Sequence, residues 1–474
     1  MNDFVCVCLL LGALLLSPPP LAAAQALQQL PRPAPPPSVP ADLTTLSLLN
    51  VVSLMSHRAP EVRQRAQEEL KRRNDSTAVP ALIELLRIPR YHDFPEITAL
   101  LEELTGQKPG SDWAAWSEWL TARESVALPP DFLPWKAALF RLLDPAFEKF
   151  LNPRARLRIR VEEIVWGGVK KDGIPALTNP KQLKAAEATY LTPEELVFGV
   201  EINGEARAYP HRLMDWHELV NDVVGGVPVA LVYCTLCRSG VLFDARAGGR
   251  TFTFGSSGLL YRSNKLMYDH ETESLWMTIP GEPVGGALAA SGLRLQKLPV
   301  VITTWRDWAK QHPDTLVLSL ETGYQRDYTP GAAYGEYFAS PKTWYPVARR
   351  DNRLPPKEEV YTLMLNDQPK AYAVAALRGQ RVLNDTLGGE SLVLVADSST
   401  GAVRAYRRGP LRFQAAEGTS DKIQTQDGGL WRLTESALVS ENSGQRLARL
   451  PGHVAYWFGW YAFFPQTLLY TGSE

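Results

Sequence analysis

The sequence predicts an α+β protein in which an N-terminal α-helical module precedes two tandem β-rich repeats packed as a pseudo-dimer. Apolar residues at three- and four-residue spacing run from about residue 43 to 124, which indicates helices. From about residue 158, short β-branched and aromatic runs alternate with Gly and Asn-Gly turns, which indicates strands. The β-rich part also repeats itself. The predicted divisions are a signal peptide (1–24), a Pro-rich linker (25–42), the helical module (43–125), a first β-rich segment (158–320), an inter-repeat connection (321–355) and a second β-rich segment (356–474), a degenerate copy of the first.

The composition is that of an ordinary globular protein. Of the 474 residues, 45% are hydrophobic and 21% are charged, so several domains can bury cores without disulfide support. The 50 Lys and Arg residues and 51 Asp and Glu residues leave a formal charge of −1. This balance gives no electrostatic reason to expect nucleic acid or an anionic membrane surface as the main partner.

The N-terminus predicts export to the periplasm or the outside of the cell. An apolar run from Phe4 to Leu16 precedes Ala22–Ala24, the layout of a secretory signal and its cleavage site. Asp3 and the lack of Lys or Arg before the run are atypical, so an uncleaved anchor or a misplaced start codon stays open. The run is short for a membrane span, and we expect no span in the mature chain. Cleavage would remove Cys6 and Cys8.

The helical module consists of short amphipathic segments joined by brief loops. These segments pair in a way that resembles HEAT-type repeats. Modules of that kind usually bind proteins or support a neighbouring domain, so an unidentified protein partner would be expected here. The predicted helical segments are 59–73, 78–87, 94–106 and 111–123.

The β-rich part contains a tandem duplication. Residues 193–234 align without a gap to residues 356–397, and residues 295–318 align to residues 447–470. Residues that both copies keep are turn residues with special backbone needs, such as Gly225 with its counterpart Gly388. We interpret the kept positions as scaffold.

The residues that only the first copy carries are those suited to chemistry. Loss of two thiols and two imidazoles together favours one shared site in the first copy, although neutral drift is an alternative explanation. The replacements in the second copy are His211 by Val374, His217 by Gln380, Cys234 by Asp397 and Cys237 by Thr400.

Several long strings resemble an exported bacterial and archaeal family catalogued as domain of unknown function 3179. They include "WGGVKKDGIPALTNP", "WHELVNDVVGGVPVALVYCTLCRSGVLFD" and "FTFGSSGLLYRSNKLMYDHETESLWM", and the resemblance covers roughly residues 160–472. It brings no established activity. It implies that the W-H-E-x-V-N-D, C-x-x-C and Y-D-x-x-T-x-S-L-W strings belong together, on Trp216, His217, Cys234, Cys237, Tyr268, Asp269, Thr272, Ser274 and Trp276.

The C-x-x-C of Cys234 and Cys237 has three interpretations: metal ligands, a redox dithiol or an inert disulfide. The pair follows a predicted strand and precedes the turn residue Gly240, an arrangement typical of a metal knuckle. No helix follows, so thioredoxin-type activation by a helix N-terminus lacks support. Further metal ligands would come from His217, His211, Asp269 and His270.

The leading hypothesis is a site in which Cys234, Cys237 and His217 bind zinc or copper, while Asp269 orients a ligand or moves a proton. Its rival is a thiol oxidoreductase or sulfur-transfer enzyme, in which Cys234 attacks and Cys237 resolves. The third is a non-catalytic interaction protein with an inert disulfide, which binds through its helical module. Whether the chain is an enzyme is left open.

Overall fold

The computed structural model describes residues 39–88, 94–152 and 156–472. The predicted signal peptide and the linker up to residue 38 lie outside the described residues. Within these ranges, no helix combines the length and the apolar character that crossing a bilayer requires.

Helices occupy the N-terminal part, as predicted, and they continue beyond the predicted boundary at residue 125. The third helix is buried on all sides, which makes it the centre of the module. Side chains of the first β-rich segment, including Leu259 and Leu266, share the module's core. The HEAT-like character of the module stays a prediction. The helices are α1 (Leu48–Leu54), α2 (Pro60–Arg73), α3 (Val79–Arg87), α4 (Pro95–Thr105), α5 (Trp113–Thr121), α6 (Phe132–Arg141) and α7 (Glu148–Leu151).

The first β-rich segment contains seventeen strands and two helices in its described residues. Its strands are β1 (Ile164–Trp166), β2 (Leu177–Thr178), β3 (Gln182–Lys184), β4 (Leu196–Ile202), β5 (Glu205–Pro210), β6 (Leu219–Val224), β7 (Val227–Cys234), β8 (Ser239–Asp244), β9 (Arg246–Ala247), β10 (Arg250–Thr251), β11 (Phe254–Tyr261), β12 (Asn264–Asp269), β13 (Leu275–Met277), β14 (Glu282–Gly285), β15 (Lys297–Leu298), β16 (Val301–Thr304) and β17 (Leu316–Leu318). Its helices are α8 (His211–His217) and α9 (Trp305–Gln311).

Three five-stranded sheets dominate this segment, with strand orders β1-β11-β12-β13-β14, β15-β8-β7-β6-β2 and β16-β4-β5-β17-β3. The β6–β7 hairpin shows why the sequence folds this way. Gly225 and Gly226 have φ of 54° and 76° and form the two-residue turn that right-twisted strands favour. The connection between the two β-rich segments then holds one short helix, α10 (Gly335–Ala339), among the described residues.

The second β-rich segment has strands β18 (Glu359–Leu365), β19 (Gln368–Ala373), β20 (Val382–Leu387), β21 (Glu390–Ala396), β22 (Val403–Arg407), β23 (Phe413–Ala415), β24 (Lys422–Thr425), β25 (Leu430–Leu433), β26 (Ala437–Ser440), β27 (Arg446–Leu450), β28 (His453–Tyr456) and β29 (Leu468–Tyr470), with helices α11 (Val374–Gln380) and α12 (Trp457–Tyr461). They form a sheet of order β28-β18-β19-β29 and an eight-stranded sheet β20-β21-β22-β27-β26-β25-β24-β23. Helices and β-rich parts together make this an α+β protein.

The positions that align in sequence make the same local contacts. In each segment a buried tyrosine donates to an aspartate on the neighbouring hairpin, and a helical tryptophan donates to a threonine seven residues later. The pairs are Tyr209–Asp222 (2.8 Å) and Tyr372–Asp385 (2.7 Å), then Trp308–Thr315 and Trp460–Thr467 (both 2.9 Å).

Candidate functional site

The two cysteines lie at the end of a strand and in the tight turn that follows it. Cys234 ends β7 and pairs with Ser239 at the start of β8. The turn between Cys234 and Ser239 contains Arg238, whose φ of 49° is in the left-handed region. As the sequence indicated, no helix begins at the pair. Both side chains are buried, with 2% of Cys234 and none of Cys237 exposed.

The two thiols are free and share one carbonyl group. The Sγ of Cys237 lies 3.0 Å from the carbonyl oxygen of Ser263, and the Sγ of Cys234 lies 4.0 Å from the same oxygen. Burial raises the pKa of Cys237, and its neighbour Cys234 raises it further. Burial acts to raise the pKa of Cys234 as well. However, the Cys237 thiol and the backbone N–H groups of Cys237 and Lys265 donate to its sulfur, and the net result is a lowered pKa. Negative charge is therefore favoured on Cys234.

The second β-rich segment shows what this turn does to the group at the position of Cys234. That position holds Asp397, whose Oδ1 accepts the backbone N–H groups of Ser399 (2.8 Å) and Thr400 (2.9 Å). Partial burial acts to raise the pKa of Asp397, but the hydrogen bond from the Ser399 hydroxyl and these two backbone hydrogen bonds lower it overall. Thr400 aligns with Cys237, whose N–H group donates to Cys234 in the same way. In both segments the turn directs a backbone donor at an anion-forming side chain.

A buried ion pair lies beside the thiols. Nζ of Lys265 donates to Oε2 of Glu218 at 2.7 Å, and Oγ1 of Thr235 donates to Oε1 of Glu218 at 2.7 Å. Only 5% of Glu218 and 4% of Lys265 are exposed, and the charge of Glu218 acts to raise the pKa of both cysteines. Lys265 therefore compensates a carboxylate that would otherwise oppose a thiolate at Cys234.

Glu218 belongs to the W-H-E-x-V-N-D string, but the sequence predicted no role for it. Its φ of 54° is unusual for glutamate, yet Arg381 at the aligned position has φ of 63°. The strained backbone therefore belongs to the fold, while the carboxylate is specific to the first β-rich segment. The charge reversal between Glu218 and Arg381 was the signal in the sequence that could have identified this residue.

His217 is not brought to the cysteines. Its Nδ1 lies 2.9 Å from the carbonyl oxygen of Pro175, and its Nε2 lies 2.6 Å from the hydroxyl of Tyr328. Burial lowers its pKa and favours the neutral ring. Across the described ranges, no three or more His, Cys, Asp or Glu side chains are grouped so that they could hold a metal ion. Within the described residues, Cys234, Cys237 and His217 do not form such a group, and the imidazole of His217 contacts Pro175 and Tyr328 instead.

Asp269 serves its own hairpin. Its carboxylate accepts Nε1 of Trp276 at 2.8 Å and Oγ1 of Thr272 at 2.9 Å, and it is fully buried. Within the Y-D-x-x-T-x-S-L-W string, Asp269 thus has a structural role in the turn. No hydrogen bond in the described part of the chain joins Asp269 to either cysteine, so the predicted role in orienting a ligand has no contact to support it.

The remaining imidazole candidates pack against aromatic rings. His270 stacks on Tyr268 with ring centroids 5.1 Å apart. His211 stacks on Phe198 at 4.3 Å, and burial together with the charge of Arg238 places its pKa well below the usual range. Neither belongs to a group that could hold a metal in the described residues.

Four polar side chains, His211, Asp215, Tyr233 and Arg238, form a second buried group that we call the Arg238 cluster. Nε2 of His211, Oδ1 of Asp215 and the hydroxyl of Tyr233 are buried without a hydrogen-bond partner. The charge of Arg238 acts on the pKa of all three. Burial raises the pKa of Asp215 to about 7, with Arg238 opposing the shift and Glu218 adding to it.

Two elements cover the thiols. One is residues 334–350 of the connection, which we call the strap; the hydroxyl of Tyr337 donates to the carbonyl oxygen of Leu236, inside the C-x-x-C, at 2.6 Å. The other is the start of α12. The N–H group of Tyr456 donates to the carbonyl oxygen of Cys237 at 2.7 Å, and Gly459 packs directly on Cys237. The strap side chains in the same apolar cluster as the cysteines are Tyr334, Tyr337, Phe338, Trp344, Tyr345 and Val347.

The fold and the site define a class: an α+β protein with a buried dithiol between two β-rich segments. The family described as "Protein of unknown function (DUF3179)" matches residues 171–467, which is more than half of the chain. The chain belongs to this family. The match contains both cysteines and begins after the helical module. Comparisons with curated proteins and with solved structures give no match.

Proposed function

We propose that Cys234 and Cys237 form a redox-active dithiol, with Cys234 as the attacking thiol and Cys237 as the resolving thiol. The observation that carries this proposal is geometric: two free, buried thiols lie side by side at the carbonyl oxygen of Ser263, and backbone N–H groups are directed at Cys234. These hydrogen bonds outweigh burial and lower the pKa of Cys234, whereas burial and the neighbouring Cys234 raise the pKa of Cys237. A thiolate is the reactive form of cysteine, so the first attack belongs to Cys234. The aligned Asp397 supports this assignment, because the same turn accommodates a full anion there.

The chemistry is thiol–disulfide exchange. The Cys234 thiolate attacks one sulfur of a substrate disulfide, forms a mixed disulfide and releases the first substrate thiolate. The Cys237 thiolate then attacks the Cys234 sulfur, closes the Cys234–Cys237 disulfide and releases the second. Two electrons pass to the substrate, and the two thiol protons end on the two substrate thiols. The reverse reaction oxidises a substrate dithiol.

Glu218 and Lys265 are positioning residues in this proposal. The side chain of Lys265 neutralises the buried carboxylate of Glu218. The backbone N–H group of Lys265 donates to the Cys234 sulfur and stabilises its thiolate form. The second β-rich segment carries Arg381 where the first carries Glu218. It also has no thiol at the positions that align with the two cysteines. We therefore interpret the second segment as a structural copy that arose by tandem duplication and packs against the first as a pseudo-dimer.

The cellular context of the proposal is the periplasm or the outside of the cell. The N-terminal apolar run and its small-residue end favour export. Disulfides form and persist in those compartments, so a dithiol there has substrates to exchange with.

The test is a redox titration of the purified protein in dithiothreitol buffers, followed by alkylation and mass spectrometry of the peptide that holds both cysteines. Reading this peptide alone keeps Cys6 and Cys8 out of the result. We expect a reduction potential above about −300 mV, the range of labile rather than structural disulfides. Cys237→Ser is expected to accumulate a mixed disulfide with added oxidised glutathione, and Cys234→Ser, the matched control, is not.

A reduction potential below about −300 mV would identify an inert structural disulfide. About one equivalent of zinc or copper in wild type and none in Cys237→Ala would instead support the metal hypothesis. Both results would overturn the proposed exchange.

A further inference from the structure

We infer that the helical module controls access to the dithiol, with α5 holding the strap closed over the thiols through Glu118. This inference rests on the proposed function for its purpose, while the contacts that carry it are independent of any redox chemistry.

The strap is fixed to α5 by the carboxylate of Glu118 and by the hydroxyl of Thr121. Oε1 of Glu118 accepts the backbone N–H of Val347 at 2.9 Å, and Nε and Nη2 of Arg350 donate to the two carboxylate oxygens at 2.8 Å each. Oγ1 of Thr121, one turn along α5, donates to the carbonyl oxygen of Ala348 at 3.0 Å. The end of the strap nearest the helical module is thus held by this helix.

The same strap residues close the route to the sulfur. A cavity of about 30 Å³, room for one water, lies between α5, the strap and the turn between β11 and β12. Tyr345 and Pro346 line it from the strap, and Ser263 lines it from the turn. The carbonyl oxygen of Ser263 lies 3.0 Å from the Sγ of Cys237. One residue therefore separates the cavity from the sulfur, and lifting the strap would enlarge the cavity towards Cys237.

The end of the strap at α5 is held more weakly than α12. On the other side, α12 is anchored by Trp457 and Trp460, which are 1% and 0% exposed. The Glu118–Arg350 pair lies at the surface, where 58% of the arginine side chain is exposed. Exposed ion pairs contribute little because water and salt screen them, whereas two buried indoles resist displacement. Local opening is therefore expected at the strap.

The experiment measures the alkylation rate of Cys234 and Cys237 in the reduced full-length protein with excess iodoacetamide. Glu118→Ala is expected to raise the rate about tenfold, because the Val347 N–H loses its charged acceptor while the Thr121–Ala348 bond and the covering aromatic side chains stay intact. Glu118→Gln keeps an acceptor for the Val347 N–H and is expected to give a smaller increase. The matched control is Glu103→Ala, which removes the surface ion pair to Lys71 (2.6 Å) in the same module and should leave the rate unchanged.

Hydrogen exchange distinguishes strap opening from general loosening. In Glu118→Ala, residues 343–350 should lose protection while residues 457–461 keep theirs. An unchanged alkylation rate, or loss of protection in both regions together, would overturn the inference. The proposed function is tested separately. A reduction potential below about −300 mV together with a tenfold faster alkylation in Glu118→Ala would mean that the strap controls access to two cysteines that do not exchange disulfides.

Discussion

Gly459 of α12 lies so close to Cys237 that a Cβ atom on it would be 2.8 Å from the Cβ of Cys237 and 3.1 Å from its sulfur. The contact joins the second β-rich segment to the thiol of the first. It also means that glycine is the only residue that fits at position 459 without movement of its neighbour.

We predict that Gly459→Ala lowers the free energy of unfolding by about 1–3 kcal/mol, because the added methyl group overpacks a site with no space for it. The measurement is urea unfolding followed by tryptophan fluorescence. Gly379→Ala is the matched control: Gly379 is also helical, but a Cβ there meets no atom within 4 Å. It should be neutral or slightly stabilising. Equal effects of the two substitutions would contradict the packing argument.

Lys265→Met is expected to cost about 3–5 kcal/mol, because it leaves the buried Glu218 carboxylate without its partner. It should also raise the pKa of Cys234, measured by the pH dependence of thiolate absorbance near 240 nm. The double variant Glu218→Gln/Lys265→Met should recover much of the lost stability and reverse much of the increase in the pKa of Cys234. Lys149→Met, which removes an exposed pair to Glu273, should cost less than about 1 kcal/mol. A loss in the double variant as large as in Lys265→Met would refute the pairing.

Asp215 predicts a pH dependence of stability. Its pKa rises from 3.8 in the unfolded chain to about 7 in the folded protein. The folded state therefore retains the proton between those values, and stability falls as pH rises from about 4 to about 7. Asp215→Asn removes this slope, so its stability relative to wild type should increase by about 4 kcal/mol between pH 4 and pH 8. Chemical unfolding at both pH values measures it, and the exposed Asp367→Asn should follow wild type.

Asp397→Ala tests the turn that the second β-rich segment shares with the C-x-x-C. Removing the acceptor of two backbone N–H groups should cost about 1–2 kcal/mol at pH 7, reduced by partial exposure to solvent. Because hydrogen bonding lowers the pKa of Asp397, this stabilisation is present above pH 4 and lost as pH falls through the lowered value. Asp397→Asn keeps an acceptor and should cost less. No loss in either variant at pH 7 would show that the turn does not depend on this side chain.

The sequence predicted those features of the fold and site that depend on neighbours in the chain. Helical spacing located α2–α5 within two residues at each end, and the apolar run before Cys234 located β7. Absence of a helix after the cysteines was also predicted correctly, because alternation and Gly turns are local signals.

What the sequence did not provide were contacts between distant elements. His217 was assigned to the cysteines, but its ring meets Tyr328, which lies 111 residues later. The ion pair between Lys265 and Glu218 was not predicted, because Glu218 and β12 come close together only when the sheets pack. The strap was predicted only as a connection, although its run of Tyr, Phe and Trp residues was an available signal for a covering role.

The strap also has a mechanical consequence. Residues 321–355 are the covalent tether between the two β-rich segments, and the strap lies within them. A force that separates the segments is therefore carried through the part of the chain that covers the sulfurs, so we expect tension along the backbone to increase the exposure of Cys234.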